Sequence, residues 1–397
     1  MRLLFVADGR SPIALNWIGY FVERGHEVHL ASTFPCAPNL RLRSLRLAPA
    51  AFSGLGEGGN HQEKKTGLFR RLLPVAARTH LRQWLGPLTL PSAARRLRKI
   101  IDEIQPDLVH AMRIPYEGML AALAAPEQPL LVSVWGNDFT LHASATPWMG
   151  YYTRNTLHRL AALHTDCRRD LRLAQVWGFP PDRPALVVPG NGGVQLDVFH
   201  PEPSPSGKGD QLVAHPVAPI IINPRGLRLY VRNDTFFQAI PLVLEKSPQV
   251  RFVCPAMQGE RQALWWVEAL HVAASVDLLP PQGRPAMAAL FRRARVAVSL
   301  TEHDGTPNTL LEAMACGCFP IAGDLESIRE WIVPGVNGLL VEPGDPRALA
   351  EAILLALGQP GLRQRAREHN LRLVADRADY NLIMDKAEEF YRSVTGS

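Results

Sequence analysis

The sequence predicts an α/β protein made of two parallel-sheet domains, and two observations carry that prediction. Short apolar runs alternate with amphipathic helical stretches along most of the chain, the βαβ rhythm of a parallel sheet. The rhythm breaks across residues 200–219, where prolines at 201, 203, 205, 216 and 219 and the cluster Ser206-Gly207-Lys208-Gly209-Asp210 read as a linker. A chain of 397 residues also exceeds what one core usually holds, about 250–300 residues. The expected domains are 1–195, with a C-terminal helix 377–397 packing back on it, and 196–376.

In the first domain the strands read at Leu3–Val6, at Val28–Leu30 after a turn at Gly25, and at Leu108–Ala111, Leu130–Val134 and Leu186–Val188. A helix runs from about Pro12 to Arg24, with Ser11 suited to cap it and Pro12 to open it. The second domain offers strands at Ile220–Ile222, Arg251–Cys254, Ala297–Leu300, Phe319–Ile321 and Leu339–Val341. Helices fall near 234–246, 308–316 and 345–357, and a last one near Arg377–Ser393. No repeat of 20–50 residues interrupts this order.

Composition narrows the class. Hydrophobic residues make up 47% of the chain and charged residues 20%, which suits a globular protein. No apolar run approaches the roughly 18 residues that cross a bilayer. The start at Met1–Ala7 is too short for a secretory signal, so a cytoplasmic protein is expected. The scattered Cys36, Cys167, Cys254, Cys316 and Cys318 read as reduced thiols rather than zinc ligands. The net charge of +6 is local: Arg41–Lys99 holds 13 basic against 2 acidic residues, leaving the rest of the chain at −5. Nothing in that stretch matches a nucleic-acid module, and no nucleic-acid partner is expected.

The most informative segment is Thr301–Glu330, TEHDGTPNTLLEAMACGCFPIAGDLESIRE. A strand end runs into Asp304-Gly305-Thr306-Pro307, and Leu310, Leu311 and Met314 then mark a helix that stops at Gly317. Ligands of open parallel sheets bind beyond the carboxyl ends of strands, and a helix N-terminus there suits a phosphate. Asp304 and Glu312, eight residues apart, can face one ligand.

This string resembles the signature of the retaining family-4 glycosyltransferases of GT-B fold, an acidic residue followed by seven residues and Glu-Ala-Met-Ala-Cys-Gly. Pro334-Gly335-Val336-Asn337-Gly338 through Asp345 continues the likeness. The resemblance implies two Rossmann-like domains facing a central cleft and transfer of a sugar with retention from a nucleotide-diphosphate sugar. Asp304 would then contact the donor sugar and Glu312 the ribose, while Gly305, Thr306, Asn308 and Thr309 meet the sugar and diphosphate. The family usually carries Glu where this chain has Asp304.

A leaving diphosphate needs fixed cations. Arg225, after strand Ile220–Ile222, matches the family's arginine. The lysine that usually follows is absent, and Arg232 is the expected second cation, with Arg228 its rival. On the acceptor side, Gly9 and Arg10 follow the first strand, and Trp135, Asn137 and Asp138 end another. Trp135 stands where many members have His. His110 also ends a strand and reads as structural. No metal is expected, since no Asp-x-Asp motif occurs, and no cofactor beyond the nucleotide sugar, with UDP ahead of GDP and ADP.

The acceptor is expected to be a carbohydrate, a small molecule or a lipid-linked glycan. Segment 64–99 has a cationic amphipathic pattern, Leu68, Phe69, Leu72, Leu73, Val75, Ala76 and Trp84 opposite Arg70, Arg71, Arg78 and Arg82, which suits either an anionic membrane or a helix packed on its own domain. Two alternatives stay open: a nucleotide-sugar epimerase of the same fold, and a non-catalytic sugar-nucleotide-binding protein. A Rossmann dehydrogenase is disfavoured, because no Gly-x-Gly-x-x-Gly follows the first strand.

Overall fold

The computed structural model describes residues 1–51, 53, 75–202 and 218–396, and for 75–79 the backbone alone. The chain divides into two compact units, Met1–Gly193 with Asn381–Ser397, and Val194–Tyr380. Each is a parallel sheet with helices on both faces.

The first unit carries β1 (Arg2–Ala7), β2 (Glu27–Ser32), β3 (Ser44–Leu47), β4 (Leu108–Ala111), β5 (Leu130–Val134), β6 (Ala162–Thr165) and β7 (Ala185–Val187), in the order β3-β2-β1-β4-β5-β6-β7. β1 lies between β2 and β4, with Leu3 beside both Val28 and Leu108. The second unit has β8 (Ile220–Ile222), β9 (Arg251–Cys254), β10 (Val276–Leu278), β11 (Val296–Ser299), β12 (Phe319–Gly323) and β13 (Leu339–Val341), ordered β10-β9-β8-β11-β12-β13. Both orders reverse direction once, between β1 and β4 and between β8 and β11. A crevice opens at that reversal, beyond the strands' carboxyl ends.

Helices cover both faces of these strands, which is why they read as continuous apolar runs. In the second unit Val296 and Val298 enter one core with Phe236, Phe252 and Ile353, while Ala297 enters the other with Phe291, Leu310 and Met314. Three strands were not legible in the sequence. β3 and β10 are edge strands of four and three residues. β6, Ala-Leu-His-Thr, is too polar to read as a core strand, although all four residues are buried.

β6 tolerates its polarity through a buried hydrogen-bond chain. Trp17 Nε1 donates to the Tyr391 hydroxyl at 2.8 Å, and that hydroxyl meets His110 Nδ1. His110 Nε2 meets Ser133 Oγ at 2.8 Å, Ser133 Oγ meets His164 Nδ1 at 2.7 Å, and His164 Nε2 meets the Val188 carbonyl at 3.0 Å. One direction of donation satisfies every member with both imidazoles neutral. Burial holds both below the usual histidine range, His164 at about 4. His110 is therefore structural, and Tyr391 ties the last helix into the first unit.

The C-terminal region differs from the single helix expected from Arg377. Helix Pro360–Ala378 ends, Asp379 turns extended with φ −60° and ψ 131°, and helix Tyr380–Thr395 begins. Among the described residues no helix is long and apolar enough to cross a membrane, and all five cysteines are free.

Candidate functional site

In the second unit, the loops after β8 and β11 flank the sheet's reversal and hold the predicted donor residues. Arg225 follows β8 on a loop clamped by two buried asparagines. Asn223 Oδ1 accepts from the Arg225 amide at 3.2 Å, its Nδ2 donates to Asn233 Oδ1 at 2.9 Å, and Asn233 Nδ2 donates to the Gly226 carbonyl at 2.9 Å. The Arg225 guanidinium, largely buried, meets Asp304 at 2.5 Å and Thr309 Oγ1 at 3.4 Å.

The loop after β11 is fixed from beneath. Ser327 Oγ donates to the Asp304 carbonyl at 2.7 Å, Trp331 Nε1 donates to Thr306 Oγ1 at 3.1 Å, and the Gly305 amide turns to Asp304 Oδ1 at 3.2 Å. Helix Asn308–Ala315 then starts from Pro307 with no side-chain cap. Its first amides, from Asn308 and Thr309, have no acceptor within the helix, and its dipole favours an anion there.

Glu312 lies inside this helix, half-buried, with no hydrogen-bond partner for its carboxylate among the described residues. Burial pushes it up to about 7, with the positive charge of Arg284 pulling the other way. Ser299 shares with Ala297 the face of the strand that carries this helix, and Thr301 and His303 follow in the loop beyond it. Ser299 Oγ, Thr301 Oγ1 and His303 Nδ1 are buried there with no partner, as is Arg225 Nε. Buried polar atoms are nearly always paired, so such a group marks a place that a ligand or water completes.

The expected second cation, Arg232, is already paired. Arg232 forms a two-bond pair with Asp234, at 2.9 and 2.7 Å, and meets Glu302 at 2.9 Å, so its charge is taken up by two carboxylates. Arg228 is exposed, its Nε donates to the Arg225 carbonyl at 3.3 Å, and no carboxylate pairs with it among the described residues.

In the first unit, the ends of β1 and β4 flank the reversal and open on a pocket of about 290 Å³. Trp135 lines it, with Nε1 buried and unpartnered. Three expected acceptor-side residues take other places. Gly9 is a packing glycine, since a Cβ there would sit 2.3 Å from Cys36 Sγ. Arg10 forks onto Asp8 at 3.0 and 3.1 Å and lies over the Phe34 ring. Asp138 is 1% exposed; it accepts from Arg113 at 2.6 Å and from the Ile114 and Trp135 amides at 3.1 and 3.2 Å. Asn137 Oδ1 accepts from the same arginine at 3.2 Å. Asp138 therefore works from the interior, aiming Arg113 and Trp135 at the pocket.

Arg82, Arg113 and Glu117 line that pocket; the sequence reading had placed Arg82 only on the basic face of segment 64–99 and had not singled out the other two. Arg113 lies two residues beyond the end of β4, and the strand order would have pointed to it, because β4 is the neighbour of β1 at the reversal. Tyr116, beside it, sits at φ 70° and ψ −58°, a strained conformation for a residue with a Cβ. Segment 64–74 lies outside the described residues, as do the side chains of 75–79. Helix Val75–Leu85 points Arg82 and Gln83 at the pocket, while Leu81 and Trp84 are exposed.

Comparison with known proteins agrees with this geometry. Residues 9–190 match the family "Glycosyl transferase 4-like domain" and residues 227–359 match "Glycosyl transferases group 1". The candidate glycosyltransferase EpsD of Bacillus subtilis (strain 168) is 28% identical over 73% of this chain and 80% of its own length. Among solved structures, sucrose-phosphate synthase from Thermosynechococcus elongatus superposes with a TM-score of 0.73 at 15% identity, covering 100% of both chains. HepE of Anabaena in complex with UDP-glucose does so with 0.72 at 14%, covering 99% of this chain and 100% of its own. The chain thus pairs a stretch similar to the 4-like glycosyltransferase domain with a stretch similar to the group 1 glycosyltransferases, on two Rossmann-like domains with GT-B neighbours.

Proposed function

We propose that this chain transfers a sugar from a UDP-sugar to a carbohydrate or lipid-linked acceptor with retention of configuration, using no resident metal. The observation that carries the reading is the constellation at the second sheet's reversal: Arg225 held by Asp304 and Thr309, an uncapped helix N-terminus, and an unpartnered Glu312. The UDP-glucose bound by the HepE neighbour supports the choice of donor.

In this reading the diphosphate lies against Arg225 and the amides of Asn308 and Thr309, with Arg228 as the second cation. These groups stabilise the charge that grows as the bond between the anomeric carbon and the phosphate oxygen breaks. Glu312, as the carboxylate, accepts from the ribose hydroxyls. Asp304, bonded to Arg225 and Gly305, is the carboxylate that faces the sugar hydroxyls in this reading. The acceptor hydroxyl attacks on the face the diphosphate leaves, and its proton passes to a departing phosphate oxygen. No residue acts as the covalent nucleophile of a glycosidase. The protein would work in the cytoplasm, touching the membrane through the basic segment 64–99.

Calorimetric titration of UDP, GDP and ADP without metal tests the donor site. UDP is expected to bind wild type and to weaken at least tenfold in Glu312→Ala. If none of the three nucleotides binds wild type, the donor assignment fails.

A further inference from the structure

The first unit's pocket contains donors that the protein leaves without acceptors. Arg82 and Trp135 both line it, and both Arg82 Nε and Trp135 Nε1 are buried with no hydrogen-bond partner. No carboxylate pairs with the Arg82 guanidinium among the described residues, and it lies over the Tyr116 and Phe34 rings at 4.4 and 5.5 Å. Aromatic faces hold a guanidinium in place without neutralising it.

The other charges around the pocket are already engaged. Arg113 is paired with the buried Asp138, Asp8 is forked by Arg10, and Glu117 accepts from Thr33 Oγ1 at 2.8 Å. Glu117 also feels the charges of Arg113 and Arg82, and what remains without any partner is a set of N–H donors, Arg82 Nε and Trp135 Nε1. An oxyanion supplies several acceptor oxygens at once, and guanidinium with phosphate is the strong form of that contact.

We propose that this pocket binds a phosphate group carried by the acceptor, with Arg82 as its principal cation and Trp135 Nε1 as a further donor. The proposal rests on the glycosyltransferase reading for the word acceptor, but the site is testable without it. The phosphate belongs either to a soluble phosphorylated acceptor or to the head of a lipid-linked one. Exposed Leu81, Trp84 and Leu85 of the same helix, with exposed Leu88 in the 3-10 turn that follows, would meet the apolar part in the second case.

The test is calorimetric titration of the full chain with methyl phosphate, with phosphatidylglycerol and phosphatidylcholine vesicles as a parallel arm. Methyl phosphate is expected to bind wild type, to weaken at least tenfold in Arg82→Ala, and to recover in part in Arg82→Lys, which keeps the charge and loses the fork. Trp135→Phe keeps the ring and is expected to weaken binding severalfold. Binding that is unchanged in Arg82→Ala, abolished instead by Arg225→Ala, or absent from wild type overturns the proposal. Retained UDP binding in the Arg82 variants shows that the chain is folded; loss of UDP binding from wild type strikes the donor reading and leaves the phosphate result standing. Arg82-dependent capture by phosphatidylglycerol but not phosphatidylcholine vesicles assigns the phosphate to a lipid head. Dependence on Arg82 for methyl phosphate alone assigns it to a soluble acceptor.

Discussion

Two buried polar clusters, one in each unit, are satisfied in opposite ways. In the first, the chain from Trp17 through Tyr391, His110, Ser133 and His164 to Val188 leaves no donor or acceptor unmet. In the second, Ser299, Thr301, His303 and Arg225 each bury a polar atom with none, around the ends of β8 and β11. A closed network fixes a core, whereas an open one is a site that folding alone does not complete. Polar burial by itself says little about function; its state of satisfaction says more.

The largest effect should come from opening the closed network. Tyr391→Phe leaves Trp17 Nε1 without an acceptor and His110 Nδ1 without a donor, and each orphan costs about 1–3 kcal/mol. A loss of about 2–4 kcal/mol in chemical denaturation is expected, with UDP affinity unchanged; a loss under about 0.5 kcal/mol would mean that the chain is not closed as described.

Next come opposite pH slopes. His164 is held at about 4, below its usual value, so the stability it supplies is complete above pH 6.5 and is lost as pH falls toward 4. Glu312 is held at about 7, above its usual value, so its contribution is complete below pH 4.5 and is lost as pH rises through 7. Thermal melts across pH should show Glu312→Gln removing the upper slope and leaving the lower one intact. The same substitution should also abolish a rise in UDP affinity between pH 6 and 8.

A smaller contrast separates the two arginines after Arg225. Arg228→Ala should weaken UDP about tenfold, or about 1.4 kcal/mol, whereas Arg232→Ala should change UDP affinity less than threefold. Reversal of that order in calorimetry would return the phosphate role to Arg232. The smallest effect belongs to Thr301→Val, which removes an unpartnered hydroxyl at nearly constant shape. Stability should stay within about 0.5 kcal/mol or rise, since no hydrogen bond is lost. A larger loss would mean that Thr301 Oγ1 has a partner after all.

Much of the proposed donor site was legible because it is local. Asp304, Gly305, Thr306, Asn308, Thr309 and Glu312 lie within one strand-loop-helix unit, where spacing decides which groups face the crevice. The acceptor side was less legible because its parts come from distant segments. Asp138 looked like a group open to a ligand, yet Arg113 and two backbone amides enclose it. Arg232 looked like a free cation until Asp234 and Glu302 closed on it.

The sequence alone determined the α/β class, the run of buried strands and the loop that carries Asp304 and Glu312, because periodicity and short-range spacing encode all three. Only the tertiary structure decided which charges remain available. Whether a guanidinium meets a second carboxylate, as Arg232 meets Glu302, or lies over aromatic rings, as Arg82 does, depends on side chains tens of residues away in the chain. The same holds for His110, which Tyr391 completes from the far end of the sequence. Electrostatic and hydrogen-bond satisfaction are properties of neighbourhood, and neighbourhood is set by the fold.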